Sequence, residues 1–294
     1  MKGIIAAAGM GTRLYPITKV TPKSLLPIYD KPMIYYPLSL MMVSGIKEVL
    51  IVCSRSTIHQ FKELLGDGKQ LGMDFSYMIQ EAPRGIADVI ILAESFIESD
   101  RVCLILGDTV IFGHGLSSYI NKAISQKKGA TIFGYHVANP SEFGVVELDE
   151  LGNILSIEEK SGDPKSNIII PGIYFYDNQV VNIAKEVRPS QRGELEITSV
   201  NNSYLEKNEL NLELFSHGIV CIDTGKPEYI YAATNLVKTI QENEGQYIGC
   251  IEELAYQCGY IDKDQLHYLG VNHENSVYGK YLLQLSSQGR KRVK

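Results

Sequence analysis

Along the first 110 positions, short apolar and β-branched runs alternate with segments whose apolar residues recur at helical spacing. The runs over 2–7, 48–53, 74–79 and 101–106 predict strands, and the segments 33–43, 57–65 and 86–97 predict helices. The runs 48–53 and 101–106 are apolar almost throughout, as expected of strands buried on both faces. The expectation is an α/β fold, a mainly parallel sheet covered by helices on both sides. From about residue 130 the grammar changes. Runs over 130–136, 145–148, 154–159 and 168–176 follow one another as strands, with turn signals at Asn139-Pro140 and Asp163-Pro164. This predicts an extended sheet region that builds one wall of a pocket. Two further strands, 211–215 and 219–222, lead to Asp223, and helices are predicted over 228–241, 251–257, 263–269 and 277–285. The closing Arg290-Lys291-Arg292-Val293-Lys294 reads as a solvated tail, and no repeat or low-complexity segment interrupts the chain.

Charge narrows the picture. The 294 residues hold 28 Lys+Arg and 34 Asp+Glu, a net charge of −6, which argues against general nucleic-acid binding. Yet Lys2, Arg13, Lys19, Lys23, Lys31 and Lys47 face only Asp30 among residues 1–47, so a cationic leader sits on an acidic body. That distribution points to a local anion site. No apolar run reaches the roughly 18 residues needed to span a bilayer, and the run over 4–8 is too short for a signal peptide. Cys53, Cys103, Cys221, Cys250 and Cys258 contain no C-x-x-C, and the six histidines no H-x-x-x-H pair. Disulfides and structural zinc are therefore not expected, and a reducing cytoplasm is the expected setting.

The anion site has a candidate in Ala8-Gly9-Met10-Gly11-Thr12-Arg13-Leu14, directly after the first predicted strand. Gly9 and Gly11 allow a tight turn that aims backbone N–H groups at an oxyanion, and Arg13 adds a planar fork. Leu14 stands where a dinucleotide fingerprint needs glycine, and no Gly-Lys-[Ser/Thr] follows as a Walker loop requires. Lys23 lies ten residues on, in a segment stiffened by prolines at 16, 22, 27, 32 and 37. A rigid, doubly cationic loop suits a polyphosphate. Asp108, closing the run 102–107, and Asp223, before Thr224-Gly225, stand at strand ends, where open α/β sheets collect ligands. Each alone is better explained as a turn former or N-cap; together with the cationic loop they suit Mg²⁺ shared with a polyphosphate. Glu159 and Lys160 end another strand, with chemistry suited to sugar hydroxyls and a sugar phosphate, or to blunting a sheet edge. Arg192-Gly193-Glu194-Leu195-Glu196-Ile197-Thr198, taken alone, is a charged helix start.

In order and spacing these motifs resemble the sugar-nucleotide pyrophosphorylases, and most of all the glucose-1-phosphate thymidylyltransferase family. The resemblance rests on Gly9 to Thr18, on the run from Leu25 to Ser39, and on Leu64-Leu65-Gly66-Asp67-Gly68 and Leu106-Gly107-Asp108. Further support comes from Glu158-Glu159-Lys160, Tyr174-Phe175-Tyr176-Asp177-Asn178, the 192–198 segment, Asp223-Thr224-Gly225 and Tyr278 to Leu283. It implies a Rossmann-like α/β catalytic domain over 1–240, with a nucleotide part at about 1–129 and a sugar part at about 130–225. A helical oligomerisation and regulatory segment over 241–294 would follow. The implied reaction joins dTTP and glucose 1-phosphate to give dTDP-glucose and pyrophosphate. Residues implied for the nucleotide are Ala8, Gly9, Gly11, Thr12, Arg13, Lys23, Gln80, Gly85 and Asp108, and for the sugar Gly144, Glu159, Lys160, Gly172, Tyr174 and Arg192. Arg13, Lys23 and Lys160 would be catalytic, Asp108 and Asp223 would hold Mg²⁺, and the assembly would be a homotetramer. Ala8, Ser24, Thr109, Pro171 and Cys221 depart from the family pattern around the base and sugar, which leaves another pyrimidine triphosphate or sugar 1-phosphate as the alternative. A non-catalytic nucleotide-sugar sensor would be expected to lack a charged catalytic position, and all are present. A nicotinamide oxidoreductase is disfavoured by Leu14 and Cys53-Ser54-Arg55.

Overall fold

The computed structural model describes residues 1–288, so the tail expected at 290–294 lies outside the described residues. One ten-stranded sheet spans the molecule. Asp74–Ile79, Glu48–Cys53, Lys2–Ala6 and Val102–Leu106 lie side by side and parallel. All six residues of Glu48–Cys53 except the first are buried, which is why the sequence there is apolar without alternation. Ile173–Tyr176 then runs antiparallel to Val102–Leu106. From it the sheet continues through Ala130–His136, Ile168–Ile169 and Gly144–Leu148 to Ile154–Glu159 at the far edge. The expected parallel sheet is thus present in the first half, and the expected extension grows from it as the same sheet. Antiparallel pairing suits the extension because short turns suffice to connect such strands. Between the last two strands, Asp149 accepts the backbone N–H groups of Leu151 and Asn153 at 2.9 and 2.7 Å.

Helices cover both faces. Leu38, Met41, Phe61 and Phe75 belong to the apolar layer on one side, and Val89, Ile90, Tyr176 and Tyr204 to the layer on the other. The first layer also takes in Ile251, Ala255, Leu266 and Leu282, so the late helices pack onto the same body. A third, smaller cluster joins Leu14, Ile28, Met33 and Tyr36 to Ala233 and Val237 of the helix Pro227–Glu244. It holds the proline-rich leader against the sheet. Among the described residues no helix is long and apolar enough to cross a membrane.

Several expected elements differ in detail. The run 168–176 is two strands, Ile168–Ile169 and Ile173–Tyr176, because Pro171 offers no N–H to a ladder. The helix expected over 86–97 divides at Ala93 into Ile86–Leu92 and Glu94–Ile97. Helices Leu116–Ser125, Val180–Glu186 and Ile197–Glu206 were not evident in the apolar pattern. Neither was the strand Thr109–Gly113, which pairs antiparallel with Ile219–Asp223 as a separate two-stranded ribbon. That ribbon is formed by segments about a hundred residues apart, so no local signal announces it.

Candidate active site

The loop after Lys2–Ala6 is held at both ends by the sheet. Ala7 N–H donates to Val52 O at 2.7 Å, and Gly107 N–H to Ala6 O at 2.9 Å. Gly11 takes a left-handed φ of 60°, opens the turn Thr12–Leu14, and accepts the Thr18 hydroxyl at 2.8 Å. A second tight turn, Lys23–Leu25, presents Lys23, whose Nζ lies 2.5 Å from Asp108 Oδ2. The six leader cations separate in space. Lys2 reaches Phe96 O at 2.8 Å, Lys31 is buried against Asp30 and Gln241, and Lys47 sits 4.3 Å above the Tyr260 ring. Arg13 and Lys23 line a cleft of about 460 Å³, together with the backbone of residues 6–12.

Asp108 and Asp223 are brought together by the ribbon, in which Asp223 pairs with Thr109. The buried Thr224 hydroxyl donates to Asp108 O at 2.9 Å, and Gly225 N–H to Asp223 Oδ1 at 3.0 Å. Loss of solvent raises the Asp223 carboxyl above its ordinary range; Lys23 and Arg13 oppose the shift, and the Asp108 charge adds to it. A Cβ on Gly225 would lie 2.8 Å from Arg13 Nη2 and 2.9 Å from Asp223 Oδ2, so the guanidinium rests against this turn only because no side chain is there. Among the described residues no group of three or more His, Cys, Asp or Glu forms a cage for a metal. Two carboxylates of hard oxygen donors, set where a polyphosphate would lie, do fit Mg²⁺, which keeps waters and takes substrate oxygens.

On the other side of the cleft, Gln80 Nε2 donates to Asp88 at 2.8 Å and to Gly85 O at 3.2 Å. Gly85 has φ 105°, and a Cβ there would meet Leu195 O at 2.4 Å. The 192–198 segment closes on this loop: Leu195 N–H donates to Arg84 O at 2.6 Å, and Ala87 N–H to Leu195 O at 3.0 Å. Leu195, through its main chain, therefore braces the loop around Gly85 before the helix Ile197–Glu206 begins.

A second cavity of about 230 Å³ adjoins the first, and the two share Arg13, Ile86, Leu106 and Asp108. Gly144, Glu159, Lys160, Gly172, Tyr174 and Asp223 line it. Glu159 is fixed by the Thr198 hydroxyl at 2.5 Å and lies 3.3 Å from Lys160 Nζ. Lys160 itself adopts a left-handed φ of 46°, and its N–H donates to Phe143 O at 2.8 Å. A Cβ on Gly172 would come within 2.6 Å of Leu106 and Thr109 Oγ1, so the cavity floor needs glycine. Cys221 also lines this cavity; burial pushes its thiol up to about 12, so it stays protonated and supplies no thiolate nucleophile.

The sequence-derived nucleotide residues Ala8, Gly9, Gly11, Thr12, Arg13, Lys23, Gln80, Gly85 and Asp108 all line the first cleft. Of the sugar-side set, Arg192 is set apart. It forks onto Glu196 at 2.8 and 2.9 Å and reaches Glu159 only at 3.6 Å, so it steadies the wall without lining it. Sequence reasoning missed Glu142, Thr198 and Asn201, which line the second cavity. The Tyr176 hydroxyl donates to Asn201 Oδ1 at 2.6 Å, and Asn201 Nδ2 has no partner among the described residues. Thr198 closes the charged helix start read over 192–198 and Asn201 lies three residues beyond it, one turn along the helix that follows.

This is the arrangement of a nucleotide-transferring fold, and the nucleotidyl transferase family profile matches residues 2–240. The chain belongs to that family. Its relatives are specific ones: it is 45% identical over 285 residues to the glucose-1-phosphate thymidylyltransferase of Neisseria meningitidis, covering 97% of this chain and 99% of that protein. It is 44% identical to the enzyme of the same name from Xanthomonas campestris, over 98% of each chain. Among solved structures it resembles a Bacillus anthracis protein, described as a glucose-1-phosphate thymidylyltransferase in complex with sucrose. That match has a TM-score of 0.75 and 38% identity, over 80% of this chain and 94% of that one.

Proposed function

We infer that this chain joins dTTP to glucose 1-phosphate, forming dTDP-glucose and releasing pyrophosphate. The observation that carries the reading is that two cavities, one walled by a polyphosphate-type loop and one by Glu159 and Lys160, open onto each other at Arg13 and Asp108. Two anionic substrates bound there meet end to end. The sugar phosphate oxygen attacks the α-phosphorus, a P–O bond forms, and the bond to the β-phosphate oxygen breaks as pyrophosphate leaves. No side chain forms a covalent bond, so catalysis is positioning and charge stabilisation. Arg13 and the N–H groups of residues 9–12 hold the departing phosphates. Lys23 stabilises charge at the α-phosphate, and Lys160 orients the sugar phosphate. Gln80 and Gly85 read the pyrimidine edge, while Gly144, Glu159, Gly172 and Tyr174 shape the sugar pocket.

Asp108 and Asp223 would hold Mg²⁺, which when bound neutralises phosphate charge. The Lys23–Asp108 pair means that this carboxylate is shared between an ammonium and any cation that binds. The family resemblance also supports residues 1–240 as the catalytic domain, residues 241–294 as an oligomerisation segment, a homotetramer, and a cytoplasmic setting. The test is a panel of nucleoside triphosphates and sugar 1-phosphates with Mg²⁺, read by pyrophosphate release. The expected result is fastest release with dTTP and glucose 1-phosphate. Faster turnover of another pair would move the assignment to that base or sugar, and no release with any pair would overturn it.

A further inference from the structure

Arg13 lines both cavities, and its guanidinium is already engaged. Nη1 lies 2.5 Å from Oε2 of Glu142, whose other oxygen accepts from Lys226 Nζ at 2.5 Å. The three residues come from three places: the loop after the first strand, the turn before Gly144–Leu148, and the N-cap of the helix Pro227–Glu244. Phe143 N–H donates to Pro140 O at 3.0 Å, which closes the turn that carries Glu142, and Phe143 O accepts the Lys160 N–H. The Glu142 carboxyl is held below its ordinary range, first by the hydrogen bond from Lys226 and further by Arg13, so it is ionised at neutral pH.

A carboxylate presents to a guanidinium the same paired anionic oxygens as a phosphate does. Glu142 and a substrate phosphate are therefore competing partners for one nitrogen of Arg13. The side chains of Arg13, Glu142 and Lys226 are 51, 37 and 38% exposed, so the contact is wet and exchangeable. We propose that Glu142 is an internal surrogate for substrate phosphate, occupying Arg13 in the free protein, yielding it to an incoming polyphosphate, and being retained by Lys226 when it does. The surrogate keeps the guanidinium folded against Gly225, where a phosphate will need it. It also taxes every incoming anion by the modest worth of an exposed ion pair. Lys226 favours release because it gives the displaced carboxylate a second cation.

The proposal rests on residues 8–13 being a polyphosphate cradle, and its test uses a probe indifferent to base and sugar. Pyrophosphate and dTTP are titrated calorimetrically into the full-length protein, the Glu142→Gln variant and the Lys226→Gln variant, with thermal melting as the check that each is folded. An exposed ion pair is worth about 0.2–1 kcal/mol, so Glu142→Gln is expected to bind pyrophosphate roughly twofold to fivefold more tightly than the parent. Lys226→Gln is expected to bind it more weakly by a similar factor. In the double variant the Lys226 effect should vanish, because Lys226 acts through Glu142. Pyrophosphate binding to Glu142→Gln that is unchanged or weaker overturns the proposal. So does a Lys226 effect of equal size on both backgrounds, which would place Lys226 directly on the anion. A parent protein that binds neither pyrophosphate nor dTTP overturns the cradle reading itself, and the surrogate with it.

Discussion

The two cavities are built by different means. The first is held in place through main-chain contacts: a glycine turn pinned to the sheet, and the loop ending at Gly85 pinned to Leu195. The second is walled by side chains that fix one another, Thr198 on Glu159, Glu159 beside Lys160, Arg192 across Glu196. A main-chain wall tolerates most side-chain changes but not an added Cβ. A side-chain wall tolerates small backbone adjustments but transmits the loss of any one member to its neighbours.

The contrast can be broken at several points, the largest at the junction. Asp108→Asn and Asp223→Asn are each expected to lower kcat on the order of 100-fold, the scale of removing one group that stabilises transition-state charge. Steady-state rates with melting curves would check this, and near-normal rates in both would remove the pair from the reaction. Next comes the main-chain wall. Gly85→Ala puts a methyl 2.4 Å from Leu195 O at a φ of 105°, and is expected to cost about 1–3 kcal/mol of stability while weakening dTTP binding. Urea midpoints and dTTP titration measure the two effects. For the side-chain wall, Thr198→Val removes a hydrogen bond to a carboxylate. It should raise KM for glucose 1-phosphate about tenfold and leave KM for dTTP within about twofold. A parallel rise in both would mean that the two cavities are not separable.

The smallest effect lies outside both cavities. Glu252 accepts the Tyr278 hydroxyl at 2.5 Å, and its carboxyl is raised above the ordinary range by burial, a shift that the Tyr278 hydrogen bond opposes. A group whose folded pKa is raised stabilises the fold below its unfolded value and loses that contribution as pH rises through the folded value. Unfolding midpoints should therefore decline as pH climbs above the ordinary carboxylate range, and Glu252→Gln should flatten that part of the profile. An unchanged slope in the variant would assign the decline to other groups.

Much of the first cavity was legible in the sequence because its determinants are local. Gly9, Gly11 and Arg13 follow a strand within a few residues, and the prolines around Lys23 announce a stiff segment. The second cavity was legible only in part. Glu159 and Lys160 end a strand that the apolar pattern reveals; the charged run 192–198 announces the start of the helix that brings Thr198 and Asn201, but not that its first turns face this cavity. Glu142 belongs to no motif in the sequence, since its contacts with Arg13 and Lys226 span 129 and 84 residues. Arg192, placed near the sugar by resemblance, stands beside Glu159 at 3.6 Å while its closer partner is Glu196 four residues along the same segment, a division of partners that spacing alone does not reveal.

The ribbon of Thr109–Gly113 and Ile219–Asp223 has an architectural consequence. Its pairing sets where Asp108 and Asp223 stand, whatever the chain does in the hundred-odd residues that leave one strand and return to the other. Those residues carry most of the sugar-side wall. They are also part of the main body: among them Ala130–His136 and Ile173–Tyr176 continue the sheet from Val102–Leu106, so the ribbon fastens the end of that excursion back beside Asp108.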